Sequence, residues 1–312
     1  MKQHPKYPKW WPSPVEIYSA LTRTEVCFDR ASELFEARSQ NRDPLGKAQP
    51  SAAGRGALVY HFETRSGRHV ALVVFKDEVT DHHDRYTKIK AHLKSTGAKN
   101  FLRFSYRPQE LLVKRNGHPH RFPVLIMDWA SEPTLDLWLE ENLEHSHRLH
   151  QLACRFRSAH FQLGQCGIAH GDLHPWNVAV TGYSPEILWL DYFPLYVPAL
   201  ETSPPPDLGL DSFQHPERFR TRYWGVNIDA FPARVIYTTI LVLAHAPALW
   251  AKFHVPGENL IFGSHDFANP GKTELWREVL SIGDQHVQFM LRDLLGALNR
   301  PISQIPARLP LN

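Results

Sequence analysis

Between His170 and Leu200 the chain reads HGDLHPWNVAVTGYSPEILWLDYFPLYVPAL, and this stretch limits what the chain can fold into more than any other. Two short apolar runs, Asn177 to Val180 and Ile187 to Leu190, are separated by turn-forming residues. Runs of that length around a turn predict a hairpin of two short strands. Asp172 stands five residues before Asn177, and Asp191 directly follows the second run. Taken singly, each of these three residues is what a turn or a cap would use. A hairpin, however, brings their oxygen-bearing side chains together at one end. His170 and His174 also form an HxxxH pair, but in a loop with no third ligand in view they make a poor zinc site.

Composition sets the outer bounds. The 312 residues, 43% hydrophobic and 21% charged, describe a soluble globular chain long enough for one large domain or two lobes. A net charge of +3 suits phosphate-bearing ligands without arguing for nucleic acid. Trp10 and Trp11 are the only aromatic cluster in a basic tail, and no RNA- or DNA-binding motif accompanies them. Cys27, Cys154 and Cys166 have no paired spacing and read as reduced thiols. The start, MKQHPKYPKWWPSP, lacks the apolar core of a signal peptide. The longest apolar stretch, Val235 to Trp250, is interrupted by His245 and Pro247 and is too short to span a bilayer. A cytoplasmic protein with no membrane and no nucleic-acid partner is the expectation.

Along the chain, Ser13 with Pro14 and Glu16 predicts a capped short helix running to about Leu21. Residues 37 to 56 carry Asn41, Pro44, Gly46, Pro50, Gly54 and Gly56 and read as a loop. Strands are expected over Ala57–Glu63, Arg68–Lys76, Phe101–Arg107, Glu110–Lys114 and Phe122–Asp128, with a hairpin turn at Asn116-Gly117. A polar helix carrying Tyr86, Ile89 and Leu93 on one side interrupts them. Beyond residue 130 the pattern turns helical: Leu149, Leu152, Ala153, Phe156, Ala159 and Leu163 repeat at three and four. This predicts an α+β chain in three parts. They are an N-terminal helix and loop extension (1–56), a small β-rich lobe (57–130) and a helical lobe (131–312).

One carboxylate beside a hydroxyl, with an amide and a second carboxylate to hold a divalent cation, is the equipment for moving a phosphoryl group from a nucleoside triphosphate. The order and spacing of Asp172, Asn177 and Asp191 resemble the catalytic and metal-binding loops of the protein-kinase-like superfamily. More narrowly, they resemble a bacterial branch with an HGDLxxxN loop and a DYxxxYVPAL segment. The resemblance covers the chain from about residue 13 onward and implies a bilobal fold that binds ATP and Mg²⁺. It makes Asp172 the base, Asn177 and Asp191 the metal ligands, and His170 a structural residue. It also assigns Gly54, Gly56, Met127 and Asp128, with Asp191, to cofactor binding, and Asp229 to the backbone of the catalytic loop. Glu217, twelve residues before Asp229, matches the glutamate that closes a protein kinase's activation segment.

The departures are specific. Ala52, Gly54 and Ala57 stand at the glycine positions of the phosphate-binding loop, and Val73 stands where a lysine is expected. Lys76 falls on the opposite face of that strand. No glutamate occurs between Val79 and Gln109 to pair with such a lysine. Lys88 and Lys90 are candidate substitutes for the phosphate contact. Tyr192-Phe193-Pro194 follows the metal-binding Asp191 and stiffens that loop. A phosphotransferase acting on a protein hydroxyl is the leading expectation. A nucleotide-binding pseudokinase that serves a partner protein as a scaffold, and a small-molecule kinase of the aminoglycoside type, remain open beside it.

Overall fold

The computed structural model describes residues 11–54, 56–78 and 81–310. The chain is α+β and divides into two compact units, one of Met1–Thr87 with Leu102–Ala130 and one of Lys88–Phe101 with Ser131–Asn312. One boundary between the units falls at residue 130, and residues 88–101 group with the second unit.

The first unit is built on an antiparallel sheet. Its strands are β1 (Arg38–Ser39), β2 (Ala52–Ala53), β3 (Ala57–Glu63), β4 (His69–Phe75), β5 (Phe104–Arg115) and β6 (His118–Asp128). The order is β1-β3-β4-β6-β5, with β2 also paired to β3. Alternation does the placing here: Leu58, Tyr60 and Phe62 of β3 are buried and their neighbours are not. Helix α1 (Pro14–Leu21) starts at a full capping box of Ser13 and Glu16, as its residues predict, and is followed by the short α2 (Thr24–Cys27). Trp11 is buried and donates from Nε1 to the Phe75 carbonyl at 2.8 Å, so it is a packing residue. Trp10 lies outside the described residues.

Two expectations are corrected. The loop expected over residues 37–56 contributes β1 and β2 to the edge of the sheet. The strands expected over 101–107 and 110–114 are one strand, β5, with a register shift between Arg107 and Leu111. Pro108 cannot donate to a ladder, and the bulge absorbs it without ending the strand. Helix α3 (His82–Thr96) buries Tyr86 and Ile89 as its pattern requires.

The second unit holds α4 (Leu135–Asn142), α5 (Ser146–Gln165), the hairpin strands β7 (Val178–Thr181) and β8 (Glu186–Trp189), and α6 (Pro216–Thr221). The helix α7 (Ala230–His245) follows, then α8 (Ala248–Phe253), α9 (Ser264–Ala268), α10 (Glu274–Leu280) and α11 (Gln285–Leu298). Every residue of α7 from Ala230 to Ala244 is buried, so it is the core helix, and α5 and α11 pack against it. Its one cation, Arg234, is satisfied by Asp293 at 2.7 Å and by the Ala230 and Pro306 carbonyls. Helix α5 buries all six residues of its stripe. Among the described residues no helix is long and apolar enough to cross a membrane.

Two histidines are buried in the neutral form. Burial lowers His82 in the first unit and His160 in the second to about 4. The unfolded chain binds these protons from about pH 6.5 downward, and the folded chain does not until about pH 4. Stability is therefore full above about pH 6.5 and falls as the pH drops toward 4. Urea unfolding at pH 5 should show about 1–2 kcal/mol less stability per buried histidine than at pH 7.5. His160→Phe should remove its own share of that loss.

Candidate functional site

The site is built around the segment that joins α5 to the hairpin. Helix α5 ends at Gln165, and Gly167 turns the chain at φ +67° toward His170. The backbone N–H groups of His170 and Gly171 both donate to the Asp229 carboxylate, the Gly171 bond at 3.0 Å. Asp229 caps the buried helix α7, so the loop is fastened to the most deeply buried element of its unit. His170 is buried and donates from Nε2 to the Leu190 carbonyl at 2.7 Å, which ties the loop to the end of β8. Gly171 has φ +79°, and a Cβ there would meet the Pro194 carbonyl oxygen at 2.0 Å. Only glycine fits this position.

The hairpin pairs Val178 with Trp189 through Thr181 with Glu186, and the Leu190 N–H extends it by donating to the Asn177 carbonyl at 2.9 Å. Asp191 is therefore the residue after the one bonded to the Asn177 backbone. Asn177 Nδ2 donates to the Asp172 carbonyl and faces His174 Nε2, both at 2.9 Å. Those two contacts occupy both amide protons and fix the orientation of the side chain. Its oxygen, Oδ1, is left as the free acceptor.

Two carboxylates complete the set. Burial raises the Asp172 carboxyl, but the neighbouring His174, His170 and Arg218 outweigh it and hold the group below its ordinary value. Asp191 moves the other way. Desolvation by the surrounding protein pushes it up, the Asp172 charge adds to this, and His170 and the Phe193 N–H offset it only in part. The Asp191 side chain nevertheless keeps a face open to solvent. Its φ of +53° is a conformation a non-glycine residue adopts at a cost of about 1 kcal/mol or more. The Asp172 charge is felt at Asp191, so the two carboxylates belong to one neighbourhood. Among the described residues no group of three or more His, Cys, Asp or Glu side chains converges on a metal position.

Sequence reasoning passed over the residues that cover Asp172. Arg218 on α6 is buried and donates to the Gly171 carbonyl at 2.7 Å, to the Asp207 carbonyl at 3.1 Å and to Gln214 Oε1. Gly209, at φ +75°, lies against Asp172 and Gln214. Only the basic character of HPERF hinted at Arg218, and nothing in the sequence singled out Gln214. Glu217 accepts from the Ile302 N–H at 2.8 Å.

Of the residues assigned to the nucleotide, Gly54, Gly56, Met127 and Asp128 fall in the first unit and Asp191 in the second. The Asp128 carboxylate is committed to Arg68 at 2.6 Å and Arg103 at 2.8 Å, and its N–H to the Arg103 carbonyl. Met127 is buried in β6 with strand partners on both sides, Ala71 and Phe104. The Gly54 carbonyl accepts from Lys76 Nζ at 2.5 Å, and a Cβ at Gly54 or Gly56 would meet nothing closer than 4.0 Å. The backbone here does not require glycine. Arg85, buried in α3 and 3.8 Å from Asp81, is a cation that sequence reasoning overlooked.

No family model matches the chain, and no curated protein does. Geometry therefore carries the functional argument.

The anchoring of the loop yields a clear expectation. Asp229→Ala leaves two buried N–H donors without an acceptor and should lower stability by about 2–5 kcal/mol in urea unfolding. Asp229→Asn keeps one acceptor and should cost about half as much. A loss below about 1 kcal/mol for the alanine variant would show that the loop is held by other means.

Proposed function

We propose that the chain is a protein-kinase-like phosphotransferase that uses Mg-ATP and an acceptor hydroxyl. Asp172 is the base, and Asn177 Oδ1 and Asp191 hold the cation. The observation that carries this reading is the amide of Asn177: its Nδ2 is engaged by the Asp172 carbonyl and by His174, which leaves its oxygen as the available acceptor. The depressed Asp172 adds support, since a general base must be ionised to accept a proton. So does the form of residues 192–215. With the residues up to 228 they contain one 3₁₀ turn, Pro198–Leu200, and the six-residue α6, where a small-molecule kinase of the aminoglycoside type would need a helical substrate lobe.

A second reading, a nucleotide-binding pseudokinase acting through a partner protein, draws on the first unit. Val73 occupies the strand position of the missing lysine, and Lys76 is turned to the Gly54 carbonyl. Losing one preorganised charge costs roughly 10²- to 10³-fold in rate. The phosphotransferase reading therefore expects a slow enzyme.

The test separates the two. Wild-type protein incubated with Mg-ATP should release ADP slowly, and Asp172→Asn should reduce that release by at least about 10²-fold while retaining nucleotide affinity. Asn177→Ala and Asp191→Ala should weaken ATP binding only when magnesium is present. Magnesium-dependent ATP binding with no ADP release and no phosphate transfer to any protein would favour the pseudokinase.

A further inference from the structure

Gly171 is held on both sides of its Cα. Its N–H donates to Asp229 at 3.0 Å, and its carbonyl accepts from Arg218 at 2.7 Å. Asp229 caps the core helix α7, but Arg218 stands on α6, a helix of six residues. A helix that short is not stable alone, so whatever fastens α6 decides how firmly Arg218 can hold the loop. The residue beside Arg218 supplies a fastening. The Glu217 carboxylate accepts the Ile302 N–H at 2.8 Å, a charge-assisted bond to a segment far along the chain.

That segment, residues 301–309, follows α11 and buries Ile302, Ile305 and Leu309. It is tied down at several points. Asn227 Nδ2 donates to the Ser303 carbonyl at 3.0 Å, and the Arg308 guanidinium lies 4.6 Å over the Phe161 ring of α5. Arg234 of α7 donates to the Pro306 carbonyl at 2.9 Å and to the Arg308 carbonyl at 3.4 Å. The contacts therefore close on themselves. They run from α7 through Asp229 to Gly171, and from Gly171 through Arg218 to α6. From α6 they pass through Glu217 to Ile302, and along the segment back to Arg234 of α7. Asp229, Arg218 and Arg234 are all buried, which shields these bonds from competing water.

We propose that residues 301–309 are a strap that sets the rigidity of the loop carrying Asp172, acting through α6. The inference goes beyond the phosphotransferase reading and does not depend on it. Opening the ring at Glu217 leaves the loop its bonds to Asp229 and Leu190, so the loop loosens without unfolding. A ligand that favoured the released strap would act on the Asp172 loop without touching it.

Hydrogen–deuterium exchange on the full-length protein tests this, because it reports loop opening whether or not the chain turns over a nucleotide. In Glu217→Ala the peptide carrying His170 to Leu173 is expected to exchange at least about tenfold faster than in wild type, with α7 unchanged. Glu217→Gln keeps an acceptor oxygen for the Ile302 N–H and should stay within about threefold of wild type. Arg220→Ala should change nothing. Arg220 lies 3.3 Å from Glu217 but is 76% exposed, and such pairs contribute little. Should Glu217→Ala fail to fold, Ile302→Pro removes the same bond from its other end. Pro301, at ψ 143°, already has the extended backbone that a residue before proline needs. That variant is expected to accelerate the same peptide. Exchange at His170 to Leu173 within about twofold of wild type, with faster exchange confined to α6, would make the strap an anchor for α6 alone and overturn the proposal. Equal acceleration across α7 would overturn it as well, since the whole unit would then have loosened rather than the loop.

Discussion

The second unit depends on one interaction: a single carboxylate, Asp229, accepting the consecutive N–H groups of His170 and Gly171. Those N–H groups belong to a loop with no strand or helix of its own, and buried backbone donors must be satisfied somewhere. Asp229 satisfies both from the start of the helix that forms the core, so the loop inherits the rigidity of α7. His170 then passes that rigidity to the end of β8 through the Leu190 carbonyl. Asp172, Asn177 and Asp191 are held by this chain of contacts. Loop residues positioned by a rigid scaffold are where chemistry tends to be placed.

The local electrostatics follow from the same packing. Asp172 and Asp191 stand in one neighbourhood yet are pushed in opposite directions. Both are desolvated and both feel the two histidines, but Asp172 also has the His174 side chain within hydrogen-bonding reach and the Arg218 charge, while Asp191 is raised further by the Asp172 charge. Two carboxylates in one neighbourhood take opposite tendencies only when their immediate surroundings differ. The backbone of Asp191, at positive φ, belongs to the same economy, since strain at a residue is tolerated where the surroundings over-determine it.

The first unit argues differently. Its sheet is well formed, but the charged pair that the resemblance leads one to expect there is missing as a pair. A valine stands for the lysine, no glutamate waits for a partner, and Lys76 has found a backbone carbonyl instead. A lone lysine or glutamate would be an uncompensated charge, so losing both is less costly than losing either. Arg68 and Arg103 converge on Asp128 and consume the carboxylate that otherwise would have been available to a ligand.

Local pattern was enough to determine much of this. The capping box at Ser13, the stripe of α5 and the hairpin from Val178 to Trp189 are written in residues a few positions apart, where propensity and periodicity act directly. The likeness of Asp172, Asn177 and Asp191 to a catalytic set was readable for the same reason, since a hairpin converts sequence spacing into proximity. Pro108 misled because proline usually ends a strand, and only the bulge in β5 shows how this strand continues past it. Residues 38–39 and 52–53 became strands only because β3 offered an edge to pair with. The orientation of the Asn177 amide, the burial of Arg218 and the packing of Gly209 against Asp172 and Gln214 were decided by tertiary structure alone. Each joins segments tens of residues apart or depends on which way one side chain turns, and no local rule encodes either.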